Sequence, residues 1–499
     1  MRTLGMIWRL EFQRILFSEK HSLESYFELL STMSNYFENP SAILDMSSVR
    51  DKGQSALHSS IEQIARKICG GNWANDASKV TMTPITGGIS NVLYLVTLNE
   101  SGNIREEKVV VRLFGLGTEK FTDRSVENII FAELSKKNQS PKLLGLFNDG
   151  RVEGYLDSRP LEPDEFTDEA IYPKLARAAA DIHTLPLHLK IDQMNNRFCW
   201  HKISVFFSLA KQVGENSFGE NPEKAAKFEA LDIPKMEVLF QKFESFVLEK
   251  AKESRQNFIN LRGTFDNYSL ASTNGVGIDD QENAAEGIRG EKRKSFVGDE
   301  KYREELMKAI GSELAYQSVF CHNDLLSGNF LYQLNRTTSA PERGPGDITI
   351  IDYEYGGYNF RAFDIANHFN EYAGFDFSKI PSKFPNKDVR YSFIREYLSY
   401  LLSLENFHDV DGTLIPKDVH KRLSDFYNID FIASTEEQKL IIESFDQVVQ
   451  IFTLLSHLLW GSWSVCQAGM SSIDFDFLEY ARLRFEFFYY HKDLFKINF

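Results

Sequence analysis

The sequence predicts an α+β fold with two lobes, a small antiparallel-sheet N-lobe followed by a large, mainly helical C-lobe. Three observations carry this. Short apolar runs separated by turn residues crowd between Val80 and Leu156. From Thr167 onward apolar residues recur at helical spacing, as in Ala178, Ala179 and Ile182. Within the helical part, two short apolar runs, Val319–Cys321 and Ile348–Ile351, are each followed by an acidic loop residue. The order, strands first and helices after, is that of two differently built layers. The expected divisions are an N-terminal extension, partly helical, over 1–58, an N-lobe over 59–156, and a C-lobe over 157–499.

In the extension, Leu23, Phe27, Leu30 and Met33 stand at helical spacing before the Asn39-Pro40 breaker. Ser59–Cys69 places Ile61, Ile64, Ala65 and Ile68 on one helical face. Val80–Pro84 and Val92–Leu98 read as strands joined through Thr86, Gly87, Gly88, Ile89, Ser90 and Asn91. Glycines there let backbone N–H groups approach phosphate oxygens, although a plain tight turn explains a double Gly equally well. Lys108–Phe114 is an apolar strand with Arg112 as its one buried-side candidate cation, and Asp123–Leu134 is a helix carrying Glu127. Glu127 either pairs with Arg112 or faces solvent. Leu143–Phe147, the turn residues Asn148-Asp149-Gly150, and Arg151–Leu156 (with Glu153 and Tyr155) form a hairpin. Helices follow over Ile171–His183, Trp200–Val213 and Pro222–Leu261, the last broken near Pro234. Residues 266–300 are polar, Gly-rich and nearly free of large apolar side chains, the composition of a disordered insertion. Lys301–Gln317 restores a helix.

Bulk composition sets outer limits. A chain of 499 residues, 42% hydrophobic and 25% charged, is ordinary for a globular protein with ample core. A net charge of −15 argues against nucleic-acid binding, which needs a basic face. Cys69, Cys199, Cys321 and Cys466 lie far apart, so their spacing indicates neither a zinc site nor a disulfide framework. A reducing, cytoplasmic setting is expected. No apolar run approaches the length of a membrane span, so stable membrane insertion is not expected.

The chemistry concentrates in SVFCHNDLLSGNFLY and ITIIDYEYGGYNFRAFDIANHFNE. Asp324 follows the first apolar run, Asn329 comes after four intervening residues, and Asp352 ends the second run. One acid, one amide and a second acid in this order match the protein-kinase catalytic loop and its metal-holding Asp. Phosphoryl transfer needs a carboxylate that orients a hydroxyl and takes its proton, the role assigned to Asp324. Mg2+ prefers hard oxygen ligands, which suits Asn329 and Asp352. Further on, Trp460 and Trp463 are three residues apart, with Phe475, Phe477 and Tyr480 beyond. Such aromatics read either as core or as ring faces around an ammonium group.

VFCHNDLLSGN, IDYEYGGYNFRAFDIANHFNEYAG and SHLLWGSWSVCQA together resemble the choline/ethanolamine kinases, over roughly Ser59–Gly263 and Lys301–Phe499. The resemblance implies a protein-kinase-like fold, ATP and Mg2+ as cofactors, and a small amino alcohol as phosphate acceptor. It makes Gly87, Gly88, Ile89, Ser90 and Asn91 the nucleotide loop and puts Arg112 in the phosphate-binding position. RVEGYLDSR, with Glu153 and Tyr155, falls on the adenine hinge. Glu371, Trp460, Trp463 and Tyr480 fall in the amine pocket, and Phe375 near a further pocket position. Asp364 is expected to brace the catalytic loop by hydrogen bonds rather than touch substrate. HNDLL and HFNEYAG lean toward ethanolamine, giving phosphoethanolamine as the first step of the CDP-ethanolamine route. Choline, or both amines, stays open, as do a non-catalytic kinase-like scaffold and a kinase for another acceptor. A homodimer is compatible with the resemblance.

Overall fold

A computed structural model describes residues 53–75, 78–85, 91–99, 106–115, 124–185, 198–218, 221–273, 300–337, 342–404, 429–432, 435–471 and 473–499. Gly87–Ser90 of the expected nucleotide loop, nearly all of the 1–58 extension and most of the 266–300 insertion lie outside them. The chain divides into two compact units: one holds the described residues up to Arg159 together with Leu331–Glu354, the other holds the remainder.

The first unit is built on a five-stranded antiparallel sheet. Helix α1 (Gln54–Cys69) precedes β1 (Lys79–Ile85), β2 (Asn91–Asn99) and β3 (Glu106–Phe114); α2 (Arg124–Lys136) comes next, then β4 (Leu143–Phe147) and β5 (Gly150–Gly154). The strand order is β1-β2-β3-β5-β4. β1 and β2 form the expected hairpin, with Ile85 opposite Leu93 on either side of the glycine loop. Side chains alternate along a strand, so Val109, Val111 and Leu113 of β3 pack with Val96, Leu98 and Val152 on the apolar stripe of α1. Arg112 therefore points to the opposite face. The β4–β5 turn is tight enough that a Cβ on Gly150 would lie 2.0 Å from the Arg112 carbonyl oxygen, which is why a glycine stands there. Ser158–Pro160, Phe330–Gln333 and Ile348–Ile350 make a small three-stranded sheet, of which the sequence suggested only the last strand.

The second unit is mainly helical: α3 (Tyr172–His183), α4 (Phe198–Ser217), α5 (Pro222–Ala230), α6 (Ile233–Thr273), α7 (Glu300–Tyr316), α8 (Arg361–Asn370), α9 (Lys387–Ser403), α10 (Thr435–Met470) and α11 (Phe477–Leu494). The break near Pro234 is present, with Asp232 in the left-handed region at φ 48° and the proline in the first turn of α6. Helix α6 continues through Thr273, so the first residues assigned to the insertion are helical, not loop. Helix α10 is long and apolar enough to cross a membrane, which the residue-run criterion overlooked, but 83% of its apolar window is buried within the unit. It is a core helix. The segment Gly357–Phe360 pairs antiparallel with Ser318–Cys321 and fixes the strand that leads into the Asp324 loop.

Candidate active site

Arg112 is buried, and its partner is not the helix carboxylate. Its Nε donates to Glu153 Oε1 at 2.8 Å, while Nη1 lies 3.6 Å from Asp352 Oδ1. The sheet register explains this: Arg112 stands opposite Arg151, and Glu153, two residues further on, shares their face. One carboxylate oxygen bridges both guanidinium groups, since Arg151 Nε also donates to Glu153 Oε1 at 2.7 Å. Glu127 of α2 accepts from Arg151 at 2.8 Å and Arg124 at 2.5 Å and is buried, so it neither pairs with Arg112 through a hydrogen bond nor faces solvent, the two alternatives the sequence left open. The result is an alternating buried ladder, Arg112–Glu153–Arg151–Glu127–Arg124. Burial pushes the two glutamates up, yet the flanking arginines outweigh it and hold both below the ordinary carboxyl value. Burial likewise opposes the charge on Arg112, and Glu153, Asp352 and Glu127 outweigh it.

Asp352 follows Ile348–Ile350 with φ 66°, a left-handed backbone that is uncommon for a residue with a side chain. Its Oδ1 is buried, faces Arg112, and has no hydrogen-bond partner among the described residues. Strain and an unsatisfied carboxylate oxygen together are features that concentrate at ligand sites. Glu153 lies inside the sheet with its side chain in the ladder, so it braces Arg112; Tyr155 lies past the strand end, with Lys108 Nζ 5.7 Å from its ring centre.

In the second unit the Asp324 loop is held from several sides. Both oxygens of the buried Asp364 accept backbone N–H groups, from His322 and Asn323, each at 2.6 Å. This is the bracing role expected of Asp364. His183 Nε2 lies 3.1 Å from the same carboxylate and its Nδ1 lies 2.7 Å from Tyr397 Oη, which also accepts from Arg361. Cys321 joins His183 and Asp364 within 4.8 Å, a grouping that sequence spacing did not show; burial pushes its thiol well up. Asn323 takes φ 66° and donates to Tyr355 O at 2.8 Å, turning the chain so that Asp324 leaves the strand. Asn329 Nδ2 donates to the Asp324 carbonyl at 2.8 Å and to Asp324 Oδ2 at 3.2 Å. Its amide oxygen takes no part in either bond.

The aromatic group also assembles within this unit. Trp460 and Trp463 meet edge to face at 5.6 Å, Trp463 meets Phe477 at 6.0 Å, and Phe475 meets Tyr480 at 5.7 Å. Trp460 Nε1 donates to Asn367 Oδ1 at 2.7 Å, fixing its ring. Glu371 is buried in the turn after α8 and accepts from Arg484 Nη2 at 2.6 Å. Arg484 also donates to Tyr480 Oη. Nothing local in the sequence marks Arg484 as Glu371's partner. Phe375 is 60% exposed, which does not suit a pocket wall.

The sequence was compared with known families and proteins. The family model described as choline/ethanolamine kinase matches residues 82–262 and 266–489. The chain is 28% identical to a probable ethanolamine kinase A of Dictyostelium discoideum, over 83% of this chain and 86% of that one. It is also 28% identical to a choline/ethanolamine kinase of Rattus norvegicus, over 86% and 85%. A solved Plasmodium vivax ethanolamine kinase is similar in fold, with TM-score 0.56 and 22% identity, covering 95% of each chain. With the family model matched over most of its length, this chain belongs to the choline/ethanolamine kinase family.

Proposed function

We propose that the chain transfers the γ-phosphate of ATP to the hydroxyl of ethanolamine. The observation that carries the reading is the Asp324–Asn329 loop: a carboxylate held by its own loop amide, on a backbone braced by Asp364. Asp324 orients the acceptor hydroxyl and takes its proton as the new P–O bond forms and the bond from the γ-phosphorus to the bridging oxygen breaks, ADP leaving with that electron pair. Arg112, kept charged by Glu153, binds phosphate oxygens with the Gly87–Ser90 loop and Asn91. The backbone beyond β5, from Tyr155, meets adenine. Asn329 and Asp352 would hold Mg2+: the hydrogen bonds of the Asn329 side chain to Asp324 run through Nδ2 and not its amide oxygen, and Asp352 Oδ1 accepts no hydrogen bond among the described residues. When bound, the ion neutralises phosphate charge. Glu371, Tyr480, Trp460 and Trp463 hold the amine.

A second reading, choline or dual specificity, has its own support. Trp460, Trp463, Phe477 and Tyr480 offer ring faces that suit a quaternary ammonium. Kinetics with ethanolamine and choline side by side, in ATP and excess magnesium, separate the two. Asp324→Asn is expected to fold and to lose about 10²–10⁴ in kcat. Near wild-type turnover by that variant would remove Asp324 from its role, and no turnover of either amine by the wild type would favour a non-catalytic scaffold.

A further inference from the structure

We propose that Arg484 is the positioning residue of the amine pocket: one guanidinium holds the Glu371 carboxylate and the Tyr480 hydroxyl together and sets which carboxylate oxygen meets the substrate cation. This rests on the reading of Glu371 and Tyr480 as amine-binding groups. Arg484 is fully buried on α11, four residues after Tyr480 and so on the same helical face. Its Nη2 donates to Glu371 Oε1 at 2.6 Å and to Tyr480 Oη at 3.0 Å, and Nε reaches the same hydroxyl at 3.2 Å. These contacts join the turn after α8 to α11 through a rigid planar group. Oε2 of Glu371 takes none of these bonds, so it is the oxygen left for a cation.

The guanidinium is itself fixed from behind. Nη1 lies 3.4 Å from His457 Nδ1, and His457 Nε2 lies 2.9 Å from His491 Nδ1. Arginine can only donate, so His457 Nδ1 must accept. Its proton is then on Nε2, which donates to His491, and His491 carries its own proton on Nε2. The bonds run one way, from Arg484 through His457 to His491, with both imidazoles neutral in a buried site. The titratable and charged groups around Glu371 are Arg484 and Tyr480 from α11, His457 from α10, and Asp324, whose charge acts on Tyr480. Arg484 is the cation among them, so with it in place Glu371 meets the amine already neutralised on one side. Affinity then depends on geometry, ring faces plus one aimed oxygen, more than on net pocket charge.

The test compares wild type, Arg484→Met and Arg484→Lys for KM of ethanolamine, KM of ATP, kcat, and the pH dependence of choline binding measured as substrate KM or as inhibition constant. Choline carries a permanent charge, so its binding reports the protein's titration alone. In R484M the buried Glu371 loses its counter-ion and takes up a proton nearer neutrality, which competes with cation binding. Burial raises Glu371 in the wild type and Arg484 opposes that rise, so without Arg484 choline binding by R484M is expected to strengthen about tenfold per pH unit as pH rises toward the new carboxyl pKa, a dependence that extends to higher pH than in the wild type. KM for ATP should stay within about twofold in both variants. Lysine keeps the charge but cannot hold both partners, so R484K is expected to raise the amine KM about tenfold with the wild-type pH profile. If R484M does not fold, R484K decides. An unchanged amine KM in R484K, or a wild-type pH profile in folded R484M, overturns the proposal. A wild type that binds neither amine removes the amine-pocket reading and this proposal with it, whereas an active wild type with indifferent variants removes the proposal alone.

Discussion

Glu153→Gln and Glu127→Gln form the sharpest pair of perturbations in the first unit. Glu153 Oε1 is the shared acceptor of Arg112 and Arg151, at 2.8 and 2.7 Å. Replacing its charge leaves two buried guanidinium groups facing one another across β3 and β5. Removing one partner of a buried ion pair costs about 3–5 kcal/mol, which for a unit of this size lowers a thermal midpoint by about 10 °C. Glu127 is as deeply buried and holds Arg151 and Arg124, so E127Q should lose a similar amount. The two variants should part in nucleotide binding. E153Q frees Arg112 from its fixed orientation, and losing one charge-assisted contact to phosphate, about 1.5–3 kcal/mol, raises KM for ATP about 10- to 100-fold. E127Q leaves the Arg112–Glu153 bond in place, and its KM for ATP should stay within about threefold. Scanning calorimetry and ATP kinetics at saturating amine provide both readouts. If E127Q raised KM for ATP as much as E153Q, the assignment of Glu153 as the residue that orients Arg112 would be wrong.

Acid should dismantle the ladder in a defined window. Glu127 and Glu153 are held below the ordinary value of 4.5, so their stabilisation is fully present above that pH and lost as pH falls below it; chemical denaturation near pH 4 should show the loss, and E153Q should blunt it. Buried histidines act earlier in the second unit. Burial lowers His368 to about 4 and His491 to about 3 from 6.5, so protons taken up only by the unfolded chain should cost about 1.4 kcal/mol per histidine for each pH unit below 6.5, a slope that His368→Phe should reduce. Gly311→Ala should destabilise by about 1–3 kcal/mol, because its Cβ would lie 2.1 Å from Ser444 Oγ and 2.3 Å from the Ile441 carbonyl oxygen where α7 and α10 pack; urea midpoints measure it.

What the sequence made legible was short-range. Asp324, Asn329 and Asp352 stand at the ends of apolar runs at fixed spacing, and a strand followed by a tight loop leaves few other places for them. Three- and four-residue strands such as Ser158–Pro160 and Gly357–Phe360 went unseen, since so few residues carry no measurable period. Polarity misled at α6, where the helix runs on through polar sequence to Thr273. The missed ion-pair partners share one cause: they lie far away along the chain. Glu153 is 41 residues from Arg112, and Arg484 is 113 residues from Glu371.

The two distances are not equally hard to bridge. The β4–β5 turn at Asn148-Asp149 sets a register, and register with period-2 alternation puts Arg151 and Glu153 on one face, so a reader who also fixed β5 beside β3 could have chosen Glu153 over Glu127. No such rule exists for Glu371, whose partner depends on how a helix-end turn and the last long helix pack. A carboxylate at a helix end is exposed by default, and only tertiary packing brings an arginine to it. The parts of a phosphotransfer site that recur for chemical reasons are therefore readable in one dimension, while the groups that fix their orientation belong to the packing of the fold.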